Sequence, residues 1–421
     1  VYIISRYTPQ LEGLHYYVTT AEEQAENQAI LADATLNDLL PQITIAGQTE
    51  PLVTPDNCFV STDADSSDYP VITSVTAVPM DNPSAFTTTC YNEDAYGVYV
   101  SESALYFTQR RTDTVLQRDI TRIHKFAMAG TQIDYRGSAD VAGVVWRGGQ
   151  ADFRMSEFNG DLRLIASIFD WGNEDFVDHQ LYVLRESTAG PDLDIVSTLP
   201  NANRPQEIGK PNEALFGVRF FGSTAYAVTF EQIDPLYAFD ISDPTDPFIA
   251  GELEVAGFSE FLHPVNDDLL LGLGRGAGGG VKLELFDVSN ISQPLSRGSV
   301  TIGGPGTFSE AANDRHAFTY QVDAGADIDR FTIPIDVFDS SVSNPFLGSA
   351  LHLFEIRDKS RPALAALNPV GVINPSEAGP NNPEWVLRSR TFIHDDTVYY
   401  VRDEDVWAAF WHTPSVTNGP F

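Results

Sequence analysis

Three phrases in the second half of the chain follow one plan of strand, tight turn and strand: LYAFDISDPTDPFIAGELEV, VKLELFDVSNISQPLSRGSVTI and LHLFEIRDKSRPALAALNPVGVI. Asp240 and Asp287, which hold the same place in the first two copies, lie 47 residues apart. With strands as its units, a period of this size is that of a four-stranded blade, and such blades assemble by radial repetition into a β-propeller. The recurrence constrains architecture and leaves activity open.

The same unit can be followed from about Tyr96 to the C-terminus. Polar turns fall at Glu102-Ser103, Asn159-Gly160, Gly222-Ser223, Asn266-Asp267, Asn313-Asp314 and Asp395-Asp396. Each precedes a strand rich in aromatic and β-branched residues, in order ALYFTQR, LRLIASIF, AYAVTF, LLLGLG, HAFTYQV and TVYYV. Together with a first unit over residues 1 to about 91, they predict an all-β fold, a β-propeller with seven recognisable four-stranded blade units. The last unit, VWAAFWHTP, lacks an outermost strand, and the chain opens without Met in VYIISRYTP, a strand already under way. Both features predict a longer precursor with eight blades, whose N-terminal part precedes Val1. The 421 residues exceed one ordinary core, yet no Gly/Ser or Pro linker divides them. A propeller reconciles the two, because each blade buries its faces against two neighbours, and residues 1–421 are read as a single domain.

One passage breaks the β pattern. Thr20 and Glu23 have the spacing of a capping box, Ala25, Ala29, Ile30, Leu36, Leu39 and Leu40 supply an apolar stripe, and Pro41 marks the far end. Residues 20–40 are therefore expected to form a helical insertion in the first blade, its stripe packed on the outside of the ring.

Twenty-five Lys and Arg against 59 Asp and Glu give a formal net charge of −34. Such a surface repels phosphate backbones and anionic lipids, which argues against nucleic-acid and membrane-surface partners. Nor does any stretch approach the roughly 20 apolar residues of a membrane span. Cys58 and Cys90 flank a strand-like run, PVITSVTAVPM, and predict a disulfide. Closing that loop contributes about 3 to 4 kcal/mol by the chain-entropy model, and the bond persists only in an oxidising compartment. The expected location is extracellular or in the cell envelope, where salt screens the acidic surface.

The run RFFGSTAYAVTFEQIDPLYAFDISDPTDPFIAGELEVAGFSEFLHPVNDDLLLGLG resembles the prokaryotic family of secreted proteins with a C-terminal β-propeller distantly related to WD repeats. IHKFAMAGTQIDYRGSADVAG and FRMSEFNGDLRLIAS look like the same family in earlier blades. The resemblance covers most of the chain and implies a propeller and export from the cytoplasm. It implies no reaction and no catalytic residues.

In a propeller the first strand of each blade faces an axial channel. The strands expected there carry Arg154, Glu157, Arg219, Glu260, His263, Glu310, Arg388 and Arg390. Two arrangements are open: a funnel whose arginine forks bind a small anion or acidic peptide, or a ring of mutually neutralising ion pairs. Asp63, Asp65 and Asp68, and likewise Asp323, Asp327 and Asp329, offer hard oxygen ligands for calcium, although neither run has the Gly and closing Glu of an EF-hand. No other cofactor is indicated. The run GLGRGAGGGVKLEL leads into a strand and is read as a hairpin, not a phosphate cradle. Asp240, Asp287 and Glu355 recur at turns and are read as side-chain caps. Signatures of the G-x-S-x-G, H-E-x-x-H and Walker types are missing. The leading expectation is a binding scaffold for a protein or small molecule, with assembly onto another envelope or extracellular protein allowed. The alternative is an extracellular or metal-dependent enzyme working from the channel residues.

Overall fold

The computed structural model describes residues 1–60, 71–95, 97–113, 118–145, 153–170, 175–230, 234–325, 327–342, 345–375 and 388–421. They fall into two compact units, one of residues 1–142 with 185–194 and the other of 143–184 with 195–421.

In the first unit, β1 (Tyr2–Tyr7) leads to the helices α1 (Ala21–Asp33) and α2 (Leu36–Leu39). The hairpin of β2 (Gln42–Ile45) and β3 (Gln48–Pro51) follows, then the two-residue β4 (Cys58–Phe59), β5 (Ile72–Ala77) and β6 (Thr87–Tyr91). The first blade has the order β1-β5-β6-β4, with β4 parallel to β6, Cys58 opposite Cys90 and Phe59 opposite Tyr91. The Cys58–Cys90 disulfide forms at that pairing. The segment between β1 and β5 thus supplies the edge strand of the blade that it interrupts. β7 (Gly97–Val100), β8 (Ala104–Asp113), β9 (Arg118–Ala129) and β10 (Gln132–Ala142) make the second blade in simple meander order. Val75, Ala77 and Tyr91 of the first blade share a core with Leu105, Phe107, Phe126 and Ile133 of the second.

The predicted capping box is present: Glu23 N–H donates to Thr20 Oγ1 at 3.1 Å, and Glu23 Oε2 accepts from Thr20 N at 2.9 Å. The stripe behaves otherwise than expected. No residue of α1 or α2 is buried, and of the six stripe residues only Leu40 reaches a core. The helix breaks at Ala34, where Thr35 and Asp38 start a second short turn. Two alanines and a broken phase leave too little continuous apolar area to hold it against a sheet.

Next in the chain come β11 (Met155–Phe158), β12 (Asp161–Phe169), β13 (Val177–Glu186) and β14 (Leu193–Leu199), whose β13–β14 turn belongs with the first unit. The second unit continues with β15 (Ala214–Phe221), β16 (Thr224–Phe230), β17 (Asp234–Asp240) and β18 (Phe248–Val255). β19 (Phe258–Asn266), β20 (Leu269–Arg275), β21 (Val281–Asp287) and β22 (Leu295–Ile302) repeat the plan. All three sheets are four-stranded meanders. Their turns use the chemistry that the sequence advertises: Asn159 and Gly160 both have positive φ (54° and 88°) between β11 and β12, as a type I′ hairpin requires. Asp240 accepts from the backbone N–H of Ser242 and Asp287 from that of Ser289. Glu355 does not cap a turn. It lies inside a strand, accepting from Trp411 Nε1 and Arg357, while Asp339 does the capping work at Ser341.

The sixth blade is irregular. β23 (Phe308–Ser309) and β24 (Thr319–Gly325) both pair with β25 (Ile328–Phe338), which continues to β26 (Phe346–Arg357) and β27 (Ala366–Ile373). The segment HAFTYQV is therefore an added strand here, because two short 3-10 turns replace the hairpin expected at Asn313-Asp314. β28 (Arg390–His394), β29 (Thr397–Arg402) and β30 (Asp405–Phe410) form a three-stranded last blade. The C-terminal tail runs beside β30, with Asn418 N donating to Ala408 O at 2.8 Å and Phe421 N to Val406 O at 3.0 Å. In the second unit the larger cores are drawn from consecutive blades, for example Leu271, Leu283 and Leu285 with Phe331, Ile333 and Phe354, and Leu351 and Leu353 with Tyr400, Trp407 and Trp411. Among the described residues no helix is long and apolar enough to cross a membrane.

Candidate functional site

The candidates on first strands sit at sheet edges: Glu157 on β11, Arg219 on β15, Glu260 and His263 on β19, and Arg390 on β28. Arg154 precedes β11, Glu310 opens a 3-10 turn after β23, and Arg388 lies just before β28. Part of this set converges with aromatic rings. The Arg219 guanidinium is 4.4 Å from the Phe153 ring centroid, and that of Arg315 is 4.6 Å from Phe261. Phe153 and Phe261 stand 5.7 Å apart. His263 packs against Phe318 and Tyr320 with centroids 4.9 and 4.3 Å away. Burial, reinforced by Arg219, lowers His263 to about 4, so its ring is neutral near pH 7. Burial raises Glu260 against the opposing pull of Arg275 and Arg315.

Other members of the set are tied to the protein itself. Arg154 is buried and donates to Leu215 O at 2.7 Å and Ser167 Oγ at 3.3 Å. Glu310 accepts the backbone N–H groups of Arg388 and Ser389 at 2.7 and 2.9 Å. Arg390 reaches Asp314 at 2.5 Å and Glu310 at 3.4 Å, closing a clasp between that turn and β28. The side chain of Arg388 is exposed and that of Glu157 half-buried. Lys359 lies 2.5 Å from Asp323 and 2.6 Å from Asp329, while Asp327 accepts from Ser360. These aspartates thus face an ammonium and a hydroxyl. Asp63, Asp65 and Asp68 lie outside the described residues. Among the described residues no three His, Cys, Asp or Glu side chains are grouped to hold a metal ion.

The first unit contains a different site, built on later strands of its two blades. On β9, Arg122, His124 and Phe126 alternate onto one face, and β10 sets Asp140, Ser138 and Tyr135 opposite them. The register shifts between Tyr135 and Gly137, a bulge that keeps Tyr135 on the same face as Ser138. Across from them lie Tyr91 and Phe59, side by side because β4 pairs with β6. All of these side chains but Phe126, with Val60, Ala139, Pro191 and Asp192, line a cavity of about 470 Å³. Gly137 sets one wall. At φ +143° it lets β10 approach so closely that a Cβ there would lie 2.5 Å from the Pro191 carbonyl carbon, and Ser138 bridges to Asp192.

Behind this cavity is a buried polar group. His124 Nε2 is 3.0 Å from Glu93 Oε2, and both side chains are 4% exposed. The Tyr91 hydroxyl lies 3.0 to 3.1 Å from the ring nitrogens, and that of Tyr135 is 3.3 Å from Nδ1. With Nε2–H donating to Glu93, Nδ1 is left to accept from a tyrosine. Burial and the Glu93 charge push the Tyr91 phenol far above its usual range, and burial does the same more mildly for Tyr135. Both are therefore hydrogen-bond donors and not phenolates. Arg122 forms a fork with Asp140, both bonds 2.7 Å. The arrangement presents an aromatic wall, the Arg122–Asp140 pair and one further carboxylate, Asp192, to whatever enters, with the His124–Glu93 pair behind. Sequence reasoning missed it. The local signals were the alternating RIHKF of β9 and the CYNE beside Cys90, but only long-range strand pairing brings them together.

Comparison with known proteins is consistent with this architecture. An uncharacterised protein of Methanocaldococcus jannaschii is 32% identical over 169 residues, 40% of this chain and 25% of that protein. One from Archaeoglobus fulgidus is 35% identical over 198 residues, 47% of this chain and 28% of that protein. The matches span under a third of the length of either relative. Among solved structures, the β-propeller domain of the Trilobed protease from Pyrococcus furiosus aligns at 9% identity and a TM-score of 0.34, covering 75% of this chain and 82% of that one; at that score the likeness carries no further argument. The family model described as a beta propeller domain matches residues 1–413, and the chain belongs to that family.

Proposed function

We propose that this propeller is an exported binding scaffold and that it seats a small molecule in the cavity between its first two blades. The observation that carries the reading is the buried His124–Glu93 pair set directly behind an open, ligand-sized hollow. Buried ionisable groups at a cavity are the usual mark of a binding site. Of the arginines expected at the axis, Arg219 lies over the Phe153 ring, Arg154 donates to Leu215 O and Arg390 pairs with Asp314. Export is supported by the disulfide and by the net charge of −34.

The test is saturation-transfer NMR on the intact chain with mixtures of small amines, sugars, carboxylates and nucleosides. At least one class should give transfer that disappears in Ser138→Trp, a substitution that fills the cavity, with the variant's near-UV circular dichroism checked against the parent. Transfer from no class, or transfer that survives the blocked cavity, would overturn the assignment.

A further inference from the structure

The charges around this cavity do not cancel. Arg122 is satisfied by its fork with Asp140, so neither offers net charge to a ligand. Asp192 stands at the rim, its carboxylate without a partner among the described residues. Glu93 is buried, and its Oε1 accepts no hydrogen bond among the described residues. Glu93 Oε2 faces His124 Nε2 behind the lining, so Asp192 is the unpaired carboxylate that an entering group meets. The nearest surfaces are aromatic. Tyr91 and Tyr135 lie nearly parallel, centroids 6.3 Å apart at 19°, and Phe59 continues the stack at 6.2 Å and 28°. Phe126 meets Tyr91 and Tyr135 edge-on from behind and fixes their orientation.

Ring faces and an uncompensated rim carboxylate together favour one ligand class, since the quadrupole of an aromatic face attracts positive charge and a poorly hydrated cation is the cheapest to transfer onto it. We infer that the cavity takes an organic cation, an amine or quaternary ammonium head group resting on the Phe59, Tyr135 and Tyr91 wall with its charge balanced by Asp192 at the rim. This rests on the binding-seat reading above and adds its chemistry. Anionic ligands would meet the Asp192 carboxylate as repulsion. A sugar would use the rings and hydroxyls but has no call on the excess charge.

Isothermal titration of the intact chain with choline and with its neutral isostere 3,3-dimethyl-1-butanol separates these cases, because the two differ in charge and hardly in shape. Choline should bind at least tenfold more tightly, weaken several-fold in Asp192→Asn, whose side chain is exposed and whose replacement spares the fold, and weaken again in Phe59→Ala. Its affinity should fall as salt is raised from 0.05 to 0.5 M. If the isostere or a neutral sugar binds as well as choline, and Ser138→Trp abolishes that binding, the seat stands and the cation assignment is wrong. If choline binding is indifferent to Ser138→Trp, or no probe binds at all, the cation assignment fails together with the seat.

Discussion

Single side chains decide several features of this molecule that composition hides. His352 is half-buried, its buried Nε2 accepts or donates nothing among the described residues, and burial alone lowers it to about 4. An unfolded histidine takes up its proton near 6.5, so between that pH and about 4 the unfolded chain binds a proton that the folded chain refuses. Acidification through that window therefore destabilises the fold. His352→Phe should remove this contribution, raising stability by about 1 to 2 kcal/mol at pH 5 and much less at pH 8; equal gains at both pH values in urea melts would show that repacking is responsible. The Glu310 clasp makes a second case. Arg390→Ala should cost about 1 to 3 kcal/mol, and Glu310→Ala more, because it strands the backbone N–H groups of Arg388 and Ser389. A loss below about 0.5 kcal/mol in either melt would mean that water replaces the clasp.

Elements were legible in the sequence where their chemistry is local. The hairpin at Asn159-Gly160, the caps of Asp240 and Asp287 and the glycine-rich turn between β20 and β21 all follow from neighbouring residues. The exceptions have local causes too. Glu355 has the wrong reach and partner for an Asx-type cap, and the broken stripe of α1 and α2 could not be packed. The cavity was illegible for a different reason. Its walls depend on the bulge in β10, on a parallel pairing between a two-residue strand and β6, and on the approach of residues 191–192 to Gly137, none of which leaves a periodic trace. Gly137→Ala tests that construction. The added methyl group must displace the Pro191 backbone, and residue 137 must hold a positive φ that L side chains rarely adopt. It should cost about 1 to 3 kcal/mol and weaken binding in the first unit, while the heat-induced change in signal from Trp407 and Trp411 in the second unit moves less. Unchanged stability and binding would mean that the wall relaxes freely.

At the scale of the whole molecule, mutual repulsion of carboxylates is the dominant long-range force. A net charge of −34 is screened over about 10 Å at 0.1 M salt and about 3 Å at 1 M. Raising sodium chloride across that interval should therefore increase the melting temperature by about 3 to 8 °C, and a flat response in a calorimetric series would show that local pairs such as Arg122–Asp140 have already absorbed the repulsion. Sequence composition made this force visible, while strand pairing decided where it is concentrated. Against that background the sulfur bridge acquires a temporal meaning. It fastens a strand two residues long, and the next residues along its two strands, Phe59 and Tyr91, are neighbouring panels of the aromatic wall. On the proposed cation seat, recognition is tied to maturation: a chain whose thiols are still reduced would have its blades folded and yet lack a finished aromatic wall, and choline titration before and after mild thiol reduction should read that difference directly.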